Sequence, residues 1–427
     1  MDFSEFILLH DEDDLGRLAL SRERFAADVP DFDLALTTLE ARRKLRTKVP
    51  EWYAVPGLHY PTRLSAQQCS STETAQYKAS VAQRTILSAK TQQNALKMGP
   101  EDNLKRKNAA KCALDGTLLA DLTGGLGVDS WAFAQVFEKV LYNEMNPALC
   151  EAARHNFELL GADNICVRNS ELRSPIRSGM TGDFQPDILY LDPARRAADG
   201  RKVFRLEECQ PDVLTLLPEL LEACPHLLLK LSPMADITLL CKQLGCVKEV
   251  HAVAAEGECK ELLLVLERGY EGQAALVICE NGHAQILRCA QNDEGSVFAT
   301  TEDLHGWLFE PGKALLKSGA FHWPSSAFGL KKLGRHTHLY VSAARIDELA
   351  PFGKWFPIER VVPLDKRHLK ETARSYPQAD VSAHNLPLSS EALRSRLGVK
   401  DGGDHHLFGA RIDVLSENFL LITVKCK

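Results

Sequence analysis

The chain has no C-x-x-C pair among its twelve cysteines. That argues against a zinc ribbon or a disulfide framework and fits a reducing compartment. It has no apolar run near the ~20 residues that a membrane span requires; Leu227–Leu231 and Leu262–Leu266 are far shorter. The opening Met1-Asp2-Phe3-Ser4-Glu5 leads into acidic Asp11–Asp14, without a basic segment and small-residue cleavage site, so no secretory signal is expected. Internal repeats and low-complexity tracts are missing as well. These absences predict a cytoplasmic protein with no membrane segment. Positive charge is in deficit: the net charge is −6 over 427 residues, which disfavours nonspecific nucleic-acid binding. Its distribution is uneven. Lys331–Lys427 carries 16 Lys/Arg against 11 Asp/Glu, a local +5 that leaves −11 for the remainder. A basic end on an acidic body is consistent with RNA contact, and equally with ordinary charge fluctuation. At 45% hydrophobic and 25% charged residues, the composition is that of a globular protein, with room for about two to four domains.

From Phe3 to about Arg46, apolar residues such as Leu15, Leu18, Phe25, Phe32, Leu36 and Leu39 recur at helical spacing among charges. Val49–Gly57, with two prolines, reads as a loop. Ser70 with Glu73 three residues later is a capping-box pattern that opens a second helical zone. Residues 1–95 are therefore expected to form an N-terminal helical region. From Leu118 the texture changes to strands alternating with helices. Strands are expected at Leu118–Leu122, Lys139–Asn143, Asn164–Arg168, Asp187–Leu191 and His226–Leu231, with helices at Val128–Phe137, Pro147–Leu160, Pro211–Ala223 and Asp236–Leu244. Cys246–Ala254 and Glu261–Glu267, joined by Ala255-Glu256-Gly257-Glu258, suit an antiparallel edge hairpin. This is an α/β domain over 96–270, a mostly parallel Rossmann-like seven-strand sheet covered on both faces. Further on, Ala274–Cys279 and Gln285–Cys289 flank the hairpin signal Asn281-Gly282. Glu310-Pro311-Gly312-Lys313 opens a short helix, and Phe419–Val424 is a final strand. Two α+β modules are expected, at 271–335 and 336–427.

The chain is organised around Leu118–Ser130: an apolar strand ending in Asp121, a turn Thr123-Gly124-Gly125-Leu126-Gly127, and a helix start. The motif G-x-G-x-x-G is absent. Glycines let the backbone approach a ligand closely and expose N–H groups. Glu144 ends the second strand about 20 residues after the glycines, where a carboxylate can accept both ribose hydroxyls. A second acid, Asp192, follows a buried strand as Asp192-Pro193, which places it at the carboxyl edge of the sheet facing the ligand crevice. Lys230 ends the next buried strand. An unpaired ammonium is costly there, so it either pairs with Asp192 or reaches substrate. His405-His406 beside Asp401-Gly402-Gly403-Asp404 lacks a third ligand at metal spacing and reads as a polar turn; no metal is expected.

The run D-L-T-G-G-L-G-V-D-S from Asp121 to Ser130 resembles motif I of S-adenosylmethionine-dependent methyltransferases. With it go Gln67–Ser71, Ala75–Ala79, Asp192–Arg196, Lys230–Met234, Glu310-Pro311, Lys317–Phe321, Asn385–Leu388 and Lys400–Gly403. From roughly Pro50 to its end the chain resembles a bacterial family of class I S-adenosylmethionine-dependent methyltransferases with a C-terminal THUMP-like domain. The resemblance implies S-adenosyl-L-methionine as cofactor, held by Asp121, Thr123, Gly124, Gly125, Gly127 and Glu144. It puts Asn169 and Ser170 near the adenine, with Asn169 where these enzymes often carry Asp. It also implies a ferredoxin-like unit near Gly272–Leu330 ahead of the THUMP-like domain, and structured RNA (tRNA or rRNA) as substrate and partner.

Asp192-Pro193-Ala194-Arg195 is similar both to the Asp/Asn-Pro-Pro-aromatic motif of amine methylation and to the Asp-Pro-Pro-Arg motif of uracil-carbon methylation. Here no aromatic is present to stack on a flipped base, and Leu229–Met234 holds no cysteine nucleophile. N6-adenine DNA methylation and uracil-carbon methylation are both disfavoured. Direct transfer to a positioned N or O nucleophile remains, with nitrogen preferred. Asp192, Pro193, Arg195 and Lys230 are the candidate catalytic set, with Asp192 or a main-chain carbonyl orienting the nucleophile. Arg195 and Arg196 either grip a phosphate bidentately or face solvent. A nonenzymatic RNA-binding protein with a degenerate methyltransferase fold and a small-molecule methyltransferase are the competing readings.

Overall fold

A computed structural model of the chain describes residues 2–25, 29, 31–97, 116–172, 185–194, 206–287 and 295–425. The chain divides into two units, Met1–Val250 with Glu261–Ala274, and His251–Lys260 with Ala275–Lys427. Among the described residues, no helix is long and apolar enough to cross a membrane.

The first unit opens with helices at Phe3–Leu9, Leu15–Leu20, Arg22–Phe25 and Phe32–Lys48. Asp2, Asp14 and Asp31 cap three of them, each side chain accepting a backbone N–H three residues on. The apolar faces close on Phe6, Ile7, Leu18, Phe32, Ala35 and Leu39. Val49–Gly57 is only partly a loop, because Pro50–Tyr53 forms a helical turn. Pro50 takes its first position, where a missing N–H is harmless, and fully buried Trp52 anchors it. The long helix Thr72–Lys97 packs against helix Val128–Ala134. Its cap is Ser71 rather than Ser70: Ser71 Oγ accepts the Thr74 N–H at 3.3 Å.

Leu118–Asp121 (β1), Lys139–Glu144 (β2), Ile165–Asn169 (β3), Ile188–Leu191 (β4), His226–Leu231 (β5), Val247–Ala255 (β6) and Glu258–Glu267 (β7) follow the order β3-β2-β1-β4-β5-β7-β6. The first five pair in parallel, and β7 runs antiparallel to β5. The expected Rossmann-like order is present with its β6–β7 hairpin, but that hairpin is not an edge: beyond β6 the sheet continues through Ala275–Glu280 and His283–Leu287, making nine strands rather than seven. Every position of β4 and β5 is buried, as continuous apolar strands require when helices cover both faces. Strand order reverses at β1, which lies between β2 and β4, so the carboxyl ends of β1, β2 and β4 border a crevice.

In the second unit, Ala275–Glu280 (β8) and His283–Leu287 (β9) form the hairpin expected at Asn281-Gly282, both residues at positive φ. A second sheet contains Trp307–Pro311 (β10), Lys331–Lys332 (β11), Tyr340–Ser342 (β12), Gly353–Pro363 (β13), Asp380–His384 (β14), His405–Ile412 (β15) and Glu417–Val424 (β16). Its order is β11-β12-β10-β13-β16-β15-β14. Glu310-Pro311 closes β10, and the helix starts only at Lys313. His405 and His406 begin β15 instead of lying in a turn. Strand β13 pairs with β10 along its first half and β16 along its second, so one continuous sheet serves this whole stretch. Leu421 and Phe408 pack on one face of it, Leu420, Ile422 and Leu407 on the other. Two covered faces explain why Phe419–Val424 is apolar without alternation.

Leu421→Ala should lower the unfolding free energy by about 2–5 kcal/mol, the range for a large-to-small change in a packed core. Urea denaturation followed by circular dichroism measures it. A loss below about 1 kcal/mol would mean that this face is not a packed core.

Candidate active site

Strand β1 delivers Asp121 fully buried. Its Oδ2 accepts the Ser130 hydroxyl at 2.6 Å, and its Oδ1 accepts the Thr123 N–H at 3.1 Å. Burial pushes this carboxyl up to about 8, against the lowering effect of the Ser130 hydrogen bond. Asp121 therefore holds the turn from inside rather than facing the crevice. A Cβ at Gly124 would come within 2.2 Å of Tyr142 Cε2, so only glycine lets the turn lie on that ring. The Tyr142 hydroxyl in turn donates to Gly125 O at 2.6 Å. Gly127 starts the following helix at φ 95°. Gly125 has φ 55°, and a Cβ there would meet only Thr123 O, at 3.8 Å. This side of the turn is open.

Glu144 ends β2 against that turn. Its Oε2 accepts the Gly125 N–H at 2.9 Å and its Oε1 the Asn146 N–H at 2.9 Å. The acid and the glycines that the sequence separates by about 20 residues are in direct contact, and each oxygen keeps a lone pair for a further donor. Asn169 Nδ2 donates to Glu144 O at 2.8 Å and to Met145 O at 3.0 Å. Ser170 Oγ donates to Asn143 Oδ1 at 2.6 Å. Both residues brace the bend after β2, which leaves Met145 67% exposed beside Glu144.

Asp192 follows β4. Its N–H donates to Thr123 Oγ1 at 2.7 Å, which ties the glycine turn to the end of β4. Parallel pairing sets Leu191 opposite Leu229, and the next residues along, Asp192 and Lys230, meet as an ion pair with Nζ 2.5 Å from Oδ2. Of the two options for Lys230, pairing with Asp192 is the one observed. Burial works against its ammonium, yet Asp192, Glu261 and Asp129 together hold its pKa above the usual lysine range. Pro193 is buried, and Ala194 is fixed to Gln210 by two backbone hydrogen bonds. Arg195 and Arg196 lie outside the described residues.

Behind Lys230 lies a charged cluster that the sequence did not announce. Glu261 Oε2 stands 3.9 Å from Lys230 Nζ. Lys78, fully buried on helix Thr72–Lys97, donates to both Glu261 oxygens at 3.1 and 3.2 Å and to Ser70 Oγ at 2.7 Å. Its Nζ also lies 3.1 Å from Asp129 Oδ1. Asp129 Oδ2 accepts the hydroxyls of Ser70 at 3.0 Å and Tyr190 at 2.8 Å. Burial favours its neutral form, but Lys78 and Lys230 outweigh that and hold the carboxyl below the ordinary aspartate value. The available signal was a lysine set among Ala75, Ala79 and Ala82, a cation on a small apolar face. Among the described residues, no group of three or more His, Cys, Asp or Glu is placed to hold a metal ion.

Known proteins resemble the chain both in part and throughout. A ferredoxin-like domain family matches residues 307–349, and a THUMP domain-like family matches residues 353–424. A Porphyromonas gingivalis W83 protein, whose crystal structure is presented as that of a methyltransferase, is 30% identical with a TM-score of 0.78. That match covers 100% of this chain and 98% of the other. An uncharacterised S-adenosylmethionine-dependent methyltransferase of Mycobacterium tuberculosis, found in two strains, is 23% identical over 291 residues. It covers 67% of this chain and 75% of the relative.

The buried carboxyl of Asp121 gives a pH test. The folded chain keeps its proton up to about pH 8, whereas an unfolded aspartate loses it near pH 4. Its contribution to stability is therefore complete below about pH 4 and is lost as pH rises through 8. Asp121→Asn imitates the protonated form and removes that slope. Thermal melts between about pH 5 and 8 should show the wild type losing stability relative to the variant. Parallel curves would mean that Asp121 is ionised throughout.

Proposed function

We propose that this chain, which belongs to the family of bacterial class I S-adenosylmethionine-dependent methyltransferases with a C-terminal THUMP-like domain, transfers methyl to a nitrogen of structured RNA, either tRNA or rRNA. It is a methyltransferase by its family; the acceptor is our reading. One observation carries it. Asp192 is bound through Thr123 to the glycine turn and through Lys230 to β5, so a carboxylate stands beside the cofactor loop at the crevice.

The donor set suits S-adenosyl-L-methionine. Glu144 can take the two ribose hydroxyls, the open side of Gly125 admits the ligand, and exposed Met145, on the bend that Asn169 and Ser170 brace, offers an apolar surface to the adenine. The turn needs no phosphate cradle, since this cofactor has no pyrophosphate. When bound, the cofactor supplies an electrophilic methyl group on a sulfonium.

Lys230 occupies Oδ2 of Asp192, which leaves Oδ1 to accept an N–H of the acceptor and aim the nitrogen lone pair. Asp192 orients the nitrogen, and the surplus proton leaves to water after transfer. Buried Pro193 has a fixed φ and restricts the backbone just beyond the carboxylate. The THUMP domain-like match and the basic excess of Lys331–Lys427 support RNA. The lack of an aromatic after Asp192-Pro193, and of a cysteine in Leu229–Met234, weighs against N6-adenine DNA and uracil-carbon chemistry.

Titration calorimetry should show S-adenosylhomocysteine binding to the wild type and at least about tenfold weaker binding to Gly125→Arg, which fills the open side of the turn at a positive φ. No binding to the wild type would refute the cofactor assignment. With tritiated methyl donor, label should enter RNA rather than DNA or protein. Label found only in protein would refute the acceptor.

A further inference from the structure

Resting on the reading that Asp192 orients the acceptor, we propose that Lys78 is a positioning residue of methyl transfer, holding Glu261 and Asp129 so that Lys230 remains on Asp192. Among the described residues, the ammonium groups of Lys78 and Lys230 here serve the carboxylates of Asp192, Glu261 and Asp129. Lys230 touches Asp192 at 2.5 Å and reaches Glu261 only at 3.9 Å. Lys78 engages Glu261 through both oxygens and Asp129 at 3.1 Å. Glu261 is 2% exposed and Lys78 0%, so water cannot replace a lost partner, and a buried carboxylate without its cation is strongly disfavoured. Without Lys78, Lys230 is a cation left beside Glu261 and Asp129, and two buried charges would draw it away from the more exposed Asp192.

A purely structural role would be to fasten helix Thr72–Lys97 to the sheet. Arg84, further along the same helix, already pairs with Glu249 on β6. Fastening also does not require Lys78 to bridge two acids that both bear on Lys230. Among the described residues, the titratable groups around the cluster include Tyr190 and Asp121 from β4 and β1, and Cys69 and Lys48 from the segments ahead of the helix. None of them stands between Lys78 and Glu261, which are in direct contact.

The charge arrangement predicts opposite effects from two substitutions. Lys78→Met leaves Glu261 charged and competing for Lys230. Glu261→Gln removes the competitor with almost no change in shape. The ionisation of Asp192 is read by carboxyl carbon NMR titration, with the signal assigned by its loss in Asp192→Asn. Its midpoint should rise by about one unit in Lys78→Met, fall in Glu261→Gln, and return near the wild-type value in the double variant. The rate constant for transfer to RNA should drop about tenfold in Lys78→Met, with KM for the methyl donor unchanged, and should recover in the double variant. An Asp192 midpoint that is the same in all variants, or moves the same way in both single variants, overturns the proposal. Circular dichroism checks folding, and if Lys78→Met does not fold, the direction of the Glu261→Gln shift decides. The titration needs no RNA. Failure of the wild type to label RNA would therefore count against the acceptor alone.

Discussion

A buried ammonium shared among carboxylates is the constraint on which this site depends. Lys230 sits at the end of a strand with every position buried, where a cation survives only among opposite charges. Asp192, Glu261 and Asp129 supply them, and they come from three different elements: the end of β4, strand β7 and the first turn of helix Val128–Ala134. Strand pairing and helix packing must both be in place before Lys230 can be there at all. The geometry proposed for catalysis and the integrity of the fold rest, at this point, on the same electrostatic requirement.

The glycine turn has a comparable logic with a neutral centre. Burial suppresses the charge of Asp121, against the hydrogen bonds from the Ser130 hydroxyl and the Thr123 N–H, which favour the ionised form. That suits a loop already bordered by Glu144, Asp192 and Asp129, where one more negative charge would be repelled. Thr123 then joins the two halves: its N–H serves Asp121 and its hydroxyl accepts from the Asp192 backbone. The glycine turn and the end of β4 are thereby tied together.

Much of this was legible beforehand because the signals are local. Asp121, the glycines and Glu144 were found by type and spacing, and the contact of Glu144 with Gly125 follows from adjacent parallel strands. The pairing of Lys230 with Asp192 is one of two outcomes that the sequence allows, since both residues fall at the ends of neighbouring strands. Misreadings arose where a local rule met a competing demand. Ser70 matched a cap pattern, yet its hydroxyl donates to Asp129 and Ser71 caps instead. Val49–Gly57 looked like a loop, but burial of Trp52 recruits Pro50 into a helical turn.

The sequence by itself determined the α/β alternation and the residue types at the strand ends, because periodicity and motif spacing act within a few dozen residues. Only the tertiary structure decided that Lys78 reaches Glu261, 183 positions away, and that Asp121 turns inward. Charges meet across such separations through burial and packing, and no spacing along the chain encodes which buried cation each carboxylate will find.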